Sequence, residues 1–268
     1  MLGNFARILL SKTDVGSMLR RVPGLEALYK EYFWSGPRYV NQFSGHYSTY
    51  EEALAAIPES LSEGWEDETV VAADHFQPSI FSTMFWLSRI LEEGSRVTDF
   101  GGAVGQTHAA LAQRMSIPNG VRWTVVDLPA AVQRGTKLAS EQGTKGLYFS
   151  EHLENVDGCD VFLSRGCIQY VETPLTALLK SLHALPRYIL LDKIPITDGR
   201  EFVTHQNLMS SAVPYQIFNR TKFLSSLKDL GFEIRDEWPV QELNCSIPFY
   251  PELFLECHSG MLLQLSAT

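Results

Sequence analysis

An α/β fold, in which a mostly parallel sheet carries helices on both faces, is what the sequence predicts, and three features predict it. From residue 96 onward, short β-branched and apolar runs recur between helix-like segments of about ten residues, a rhythm that requires crossovers and therefore parallel strands. The first run, "RVTDF", ends on a glycine-rich turn that leads into a helix, "GGAVGQTH". The last two, "FEIRDEW" and "GMLLQLS", are joined without a helix, so the closing pair should be antiparallel.

Taken in order, residues 14–32 carry Val15, Met18, Leu19, Val22, Leu25 and Leu28 at helical spacing, interrupted at Pro23 and Gly24. In "FSGHYSTYEEALAAI", Ser48 with Glu51 three residues later predicts a capping box that opens a helix through Ala56. A polar loop, "PESLSEGWEDE", follows. Ile80, Met84, Leu87, Ile90 and Leu91 form one face of a helix that stops at Gly94. Strands are expected at 97–100 and in "VRWTVVD", "GLYFS", "CDVFLS" and "RYILLD", with helices over 106–115, in "PAAVQRGTKLASEQG" and in "PLTALLKSLHAL". Asn219 or Thr221 caps the helix "KFLSSLKDL", and Gly231 ends it. Composition shifts near residue 75, so the 268 residues divide into a helical extension or lid at 1–75 and the α/β domain at 76–268.

A hydrophobic fraction of 45% and a charged fraction of 20% are those of an ordinary folded domain. The 22 Lys and Arg against 31 Asp and Glu leave a net charge of -9, which repels a phosphate backbone. The basic residues that do gather, Arg20 and Arg21 with Lys30 and Arg38 beyond, are too few to reverse this, and no nucleic acid is expected. Cys159, Cys167, Cys245 and Cys257 show neither zinc-site pairing nor disulfide density, which suits reduced thiols in the cytoplasm. No apolar run approaches the roughly 20 residues that cross a bilayer, so no transmembrane segment is expected. The opening "MLGNFARILLS" makes a poor signal peptide, although a peripheral helix fits it.

The chemistry concentrates at "RVTDFGGAVGQTH". In an open parallel sheet ligands sit beyond the carboxyl ends of the strands, where the first strand turns into its helix. Gly101, Gly102 and Gly105 let a ligand approach the backbone, and the amides that open the following helix suit an anion. The spacing is not the G-x-G-x-x-G of dinucleotide sites, and no lysine follows the last glycine as a phosphate loop would require. A nicotinamide oxidoreductase is further disfavoured by the lack of a Tyr-x-x-x-Lys pair. What stands here is D-x-G-x-x-x-G, with a second acid, Asp127, at the end of the next strand. Asp99 can accept from an ammonium group while Asp127 takes two ribose hydroxyls. A ligand with an amino acid at one end and an unphosphorylated ribose at the other is S-adenosyl-L-methionine.

With those residues in place, the sequence resembles the Rossmann-like class I methyltransferases that use S-adenosylmethionine. More narrowly it resembles a group of predicted methyltransferases found among bacterial polysaccharide and natural-product genes. The segments that carry this are "FSGHYSTYEEAL", "VTDFGGAVGQTH", "WTVVDLP", "LSRGCIQYVETPLTALL", "LLDKIP", "VTHQN" and "IPFYPELFLECHSG", within residues 43–260. The resemblance implies a seven-stranded sheet with an antiparallel last strand. It also implies that Asp99, Gly101, Gly102 and Gly105 hold the methionine end of the donor, that Asp127 binds the ribose, and that Leu128 packs on the adenine. Glu151 is the nearest match to the acid that contacts the adenine amine, and Ser164 is counted with the donor site.

Methyl transfer needs donor and acceptor held in line and, for a hydroxyl acceptor, a base. After the fourth strand stand Ser164, Arg165, Cys167, Gln169 and Tyr170, of which Tyr170 is the candidate lining of the methyl pocket. After the fifth come Asp192 and Lys193 and then the long "PITDGREFVTHQNLMSSAVPYQIFNR", which has the length of a lid or binding segment. In that stretch His205 is the candidate general base, with Gln206, Asn207 and Tyr215 as orienting groups and Asp192 as the other base candidate. Asp192 has no further acids beside it in sequence, so no metal is expected. His46 or Tyr47 would close over the site from the N-terminal side, and Trp34, Phe43, Tyr47 and Tyr50 are candidates for an acceptor or homodimer surface. The expected activity is O-methylation of a small-molecule, sugar or secondary-metabolite hydroxyl. Methylation at nitrogen or carbon, and a non-catalytic donor-binding module, are the alternatives.

Overall fold

In the computed structural model, which describes residues 14–35, 42–62, 77–208 and 211–266, the chain opens on helices α1 (Asp14–Arg20) and α2 (Leu25–Ser35). Strand β1 (Phe43–Tyr47) and helix α3 (Tyr50–Ala55) follow. The α/β succession runs α4 (Ile80–Ile90), β2 (Arg96–Phe100), α5 (Gln106–Ala112), β3 (Arg122–Val126), α6 (Pro129–Glu141), β4 (Leu147–Ser150), β5 (Val161–Arg165), α7 (Leu175–Ser181) and β6 (Tyr188–Ile194). Then come β7 (Ile196–Thr197), β8 (Phe202–Asn207), β9 (Ala212–Asn219), α8 (Arg220–Lys228), β10 (Phe232–Val240) and β11 (His258–Leu265).

Seven of these strands form one sheet in the order β10-β11-β6-β5-β2-β3-β4. β4, β3, β2, β5 and β6 pair in parallel, while β11 slots between β6 and β10 antiparallel to both. Consecutive residues are buried on both faces, Val97 with Thr98 and Leu190 with Leu191, so helices must cover each side. On one face Leu87 and Ile90 of α4 and Leu111 of α5 pack with Val97, Trp123 and Leu163. The strand order reverses between β2 and its neighbours β3 and β5, which makes the carboxyl end of β2 the topological switch point.

The remaining strands form a second sheet, ordered β1-β8-β9-β7. By contacts the chain divides into two units, Met1–Ala73 with Pro195–Arg220 and Leu243–Cys257, and Asp74–Ile194 with Thr221–Glu242 and His258–Thr268. Two later segments thus group with the N-terminal one. The reason is long-range pairing: β1 runs antiparallel to β8 with Phe43 opposite Gln206, and the Thr204 hydroxyl donates to the Gly45 carbonyl at 2.8 Å. Inside this unit Tyr29 and Phe33 of α2 pack with Leu25 and Phe249.

Three local expectations change. The N-terminal segment is not wholly helical, because β1 occupies 43–47. The long stretch after β6 is strand rather than open lid, since β8 and β9 pair along six residue pairs from Phe202–Ile217 to Asn207–Ala212. Helix α3 is capped one residue later than the Ser48–Glu51 spacing suggests: the Thr49 hydroxyl accepts the Glu52 N–H at 3.1 Å, and the Glu52 carboxylate accepts the Ser48 N–H at 3.0 Å. Ala53 of this helix is fully buried. The opening "MLGNFARILLS", Arg38 and most of "PESLSEGWEDE" lie outside the described residues. Among the described residues no helix is long and apolar enough to cross a membrane.

Candidate functional site

The turn after β2 is built from behind by side chains that only glycine accommodates. Gly101 has φ +74°, and a Cβ there would lie 2.2 Å from the Cys167 Sγ; one on Gly102 would lie 2.6 Å from the Asp99 carboxyl carbon. The Gly101 N–H donates to the Val126 carbonyl at 2.9 Å, which pins the turn to β3 before Gly105 opens α5.

Asp99 sits beneath this turn at 1% exposure. Its Oδ2 accepts the Trp123 indole N–H at 3.1 Å, while Oδ1 is buried with no partner. Burial pushes the carboxyl up to about 7, against the opposing pull of the Trp123 hydrogen bond and of Arg165, with the Asp127 charge adding to the rise. Asp127, half-buried at the end of β3, reaches the same turn from the other side. Its Oδ2 accepts the Ala103 N–H at 2.7 Å and its Oδ1 the Leu128 N–H at 2.8 Å. Burial raises this carboxyl too, and the two backbone hydrogen bonds oppose the rise. Asp99, Gly101, Gly102 and Asp127 are therefore brought together as the spacing predicts, with Ala103 at φ +51° as an added, strained member.

The set fits an aminoacyl nucleoside. The orphaned Asp99 Oδ1 is an acceptor in want of a donor, and a carboxylate oxygen holding one N–H keeps a second lone pair, so Asp127 can still take hydroxyls. Leu128, 43% exposed beside Asp127, offers an apolar surface. Glu151 is exposed just past β4, and the Ser150 hydroxyl before it donates to the His152 carbonyl at 2.8 Å. Ser164 departs from its expected role: fully buried, it spends its hydroxyl on the Phe100 carbonyl at 3.0 Å and ties β5 to β2.

Beyond β5, Tyr170 ends the 3-10 turn Ile168–Tyr170 and is half-buried. Burial pushes the Cys167 thiol well up, so it is a packing group against Gly101 rather than a nucleophile. Asp192, a candidate base, is completely buried, and both its oxygens are engaged: Arg165 Nε lies 3.0 Å from Oδ2 and the Trp238 indole N–H donates to Oδ1 at 3.3 Å. This enclosed ion pair ties β5 to β6, and its complete burial keeps Asp192 away from solvent.

The other base candidate, His205, belongs to the unit with the second sheet. It is fully buried in β8, between the rings of Tyr47 at 4.6 Å and Trp34 at 5.1 Å. Its Nε2 lies 2.7 Å from the Ala53 carbonyl and so carries the hydrogen, leaving Nδ1 buried without a partner. Burial lowers it to about 4, with the Ala53 carbonyl opposing. A neutral, enclosed, weakly basic ring is a packing histidine, which corrects the general-base expectation; a surface loop became a strand. In the same unit the His46 ring meets Phe202 edge-on and Tyr250 at a tilt, and the Phe43 ring meets Tyr215. Sequence spacing missed Trp123, which holds Asp99, and Lys193, whose backbone is unusual. An indole second in its strand and a lysine after an acid carry no motif. No cluster of three or more metal-ligating side chains occurs among the described residues.

No family model matches the chain, and no curated protein matches it, so the narrower resemblance rests on its quoted segments alone. Solved structures do match. The Burkholderia thailandensis 1,6-didemethyltoxoflavin-N1-methyltransferase, crystallised with 1,6-didemethyltoxoflavin and S-adenosylhomocysteine, is similar at a TM-score of 0.55 and 20% identity, covering 86% of this chain and 99% of that one. An S-adenosylmethionine-dependent methyltransferase from Clostridium acetobutylicum matches at 0.49 and 11% identity, over 75% and 96%. The likeness is one of fold: the seven-stranded unit has the Rossmann-like class I methyltransferase architecture.

Proposed function

We propose that the protein is an S-adenosylmethionine-dependent methyltransferase acting on a small molecule. The observation that carries this is the convergence of Asp99 and Asp127 on one bare stretch of backbone, Gly101 to Gly105, at the switch point of the sheet. Asp99 would hold the donor's ammonium group, the Asp127 carboxylate its ribose hydroxyls, and Leu128 one face of its adenine. When bound, the donor supplies a methyl group on a positively charged sulfur, open to direct displacement. The chain's part is then to orient: the Asp127–Ala103 hydrogen bond sets the loop, and Tyr170 with the β5 exit would wall the methyl side.

The finer reading is transfer to a hydroxyl of a sugar or secondary metabolite, with the glycine-turn unit as catalytic domain. The titration of a buried base does not support it, since His205 and Asp192 are both committed elsewhere. It draws support instead from Tyr170, the phenol nearest the β5 exit in the chain. Calorimetry with S-adenosylhomocysteine tests the main proposal, with micromolar binding expected; a wild-type protein that takes up none would sink it. Transfer of label from the donor to hydroxylated acceptors, but not to their amine counterparts, tests the finer one.

A further inference from the structure

β6 and β11 fall out of step over one residue. Ser259 pairs with Ile194 and Met261 with Leu191, so Asp192 and Lys193 together face Gly260 in a β-bulge. Lys193 takes the unpaired position at φ +61°, a conformation that a long side chain rarely adopts. The bulge is braced on several sides. Arg165 and Trp238 hold the two oxygens of Asp192, and the Gly166 N–H donates to the Asp192 carbonyl at 2.9 Å. Trp238 reaches across only because Gly260 lacks a side chain, since a Cβ there would lie 2.1 Å from the indole nitrogen. Strain so firmly held serves to re-aim the side chain it carries.

The lysine stem lies across Gly166, where a Cβ would stand 3.4 Å from Lys193 Cδ and 3.8 Å from Gln169 Nε2. Cys167, the next residue, packs on Gly101. Lys193, Gly166, Cys167 and Gly101 thus form a row along the carboxyl ends of β6, β5 and β2, leading to the donor turn. The ammonium makes no ion pair within 4 Å among the described residues. Asp192 is occupied as described, and the Glu242 carboxylate accepts the Ser79 N–H at 2.9 Å. Burial, then the Arg165 charge, bring the lysine down to about 8, against the pull of Asp192 and Glu242. Beside it Gln169, 2% exposed, keeps a buried Oε1 with no partner.

We propose that the methyl acceptor is a small hydroxylated acid, its carboxylate docked on the Lys193 ammonium and a neighbouring hydroxyl donated to Gln169 Oε1. This rests on the methyltransferase reading and narrows its substrate class. A half-buried ammonium with no ion pair within 4 Å among the described residues, close to an unused acceptor, matches a molecule that carries both an anion and a donor.

The test is calorimetry on protein saturated with S-adenosylhomocysteine, titrated with salicylate, glycolate and glucuronate, each beside its neutral amide. At least one acid should bind roughly tenfold or more tightly than its amide. That preference should vanish in Lys193→Met and persist in Lys193→Arg. Lys193→Gly, which relieves the bulge, should melt at or above the wild-type temperature with the preference gone, a pattern that a merely structural lysine would not produce. Acids that bind no better than their amides, or not at all, overturn the proposal, as does a preference that survives Lys193→Met. Wild type that takes up no S-adenosylhomocysteine overturns the methyltransferase reading and this inference with it, whereas normal uptake without acid preference overturns this inference alone.

Discussion

The Asp127 carboxylate accepts the Ala103 N–H at 2.7 Å, so the acid expected on a ribose also fixes the backbone of the turn expected on the methionine end. Ala103, at φ +51°, stays in that conformation because the hydrogen bond holds it there. Asp127→Ala should therefore act twice. Loss of a charge-assisted hydrogen bond should cost about 1.5–3 kcal/mol in thermal unfolding. Affinity for S-adenosylhomocysteine should fall more than tenfold in calorimetry, and unchanged affinity would detach Asp127 from the ligand.

Gly101 tests the turn by packing. Gly101→Ala places a Cβ 2.2 Å from Cys167 Sγ at φ +74°, whereas Gly143→Ala, at φ +63°, meets nothing within 4 Å. Gly143→Ala should cost about 1 kcal/mol from backbone conformation alone, and Gly101→Ala about 3 kcal/mol once overpacking adds to it. Urea denaturation of the two variants measures the difference. Equal losses would mean that Cys167 can move aside freely.

Asp99 should leave a mark on the pH dependence of stability. Its carboxyl is raised by burial from 3.8 to about 7, so between those values the folded chain keeps a proton that the unfolded chain has lost. Its contribution is complete below about pH 4 and disappears as pH rises through about 7. The gap in unfolding free energy between Asp99→Asn and wild type should shift by on the order of 4 kcal/mol across that window. A gap that does not vary with pH would contradict the buried-carboxyl account.

His205 should do the reverse. Burial lowers it from 6.5 to about 4, so on acidification the unfolded chain takes a proton first. The stability it contributes is present above about pH 6.5 and is lost as pH falls through about 4, on the order of 3 kcal/mol in all. Melting curves of His205→Gln between pH 4 and 7 should lack this acid-side loss. Since the Asp99 and His205 contributions oppose one another, the two single variants should tilt the wild-type profile in opposite directions.

Much of the candidate site is legible in the sequence. The Asp99, Gly101, Gly102 and Asp127 grouping follows from local chemistry, because a strand that ends on an acid and turns on glycines places both at its own tip. The antiparallel close of the sheet was legible for a similar reason: no helix separates the last two long strands to carry a crossover. The burial of His205 is not legible, because "VTHQN" alternates too weakly to show that β1, some 160 residues earlier, covers it.

The sequence by itself determined the strand and helix rhythm, the switch-point turn and the two acids that flank it, since each depends on residues near one another in the chain. Only the tertiary structure decided which buried polar groups are spent and which are left over. Asp192 and Ser164 are consumed by partners on other strands, whereas Asp99 Oδ1 and Gln169 Oε1 find none. That balance depends on pairings between distant segments, down to the one-residue slip of β6 against β11 at which Lys193 takes φ +61°, and no local pattern encodes it.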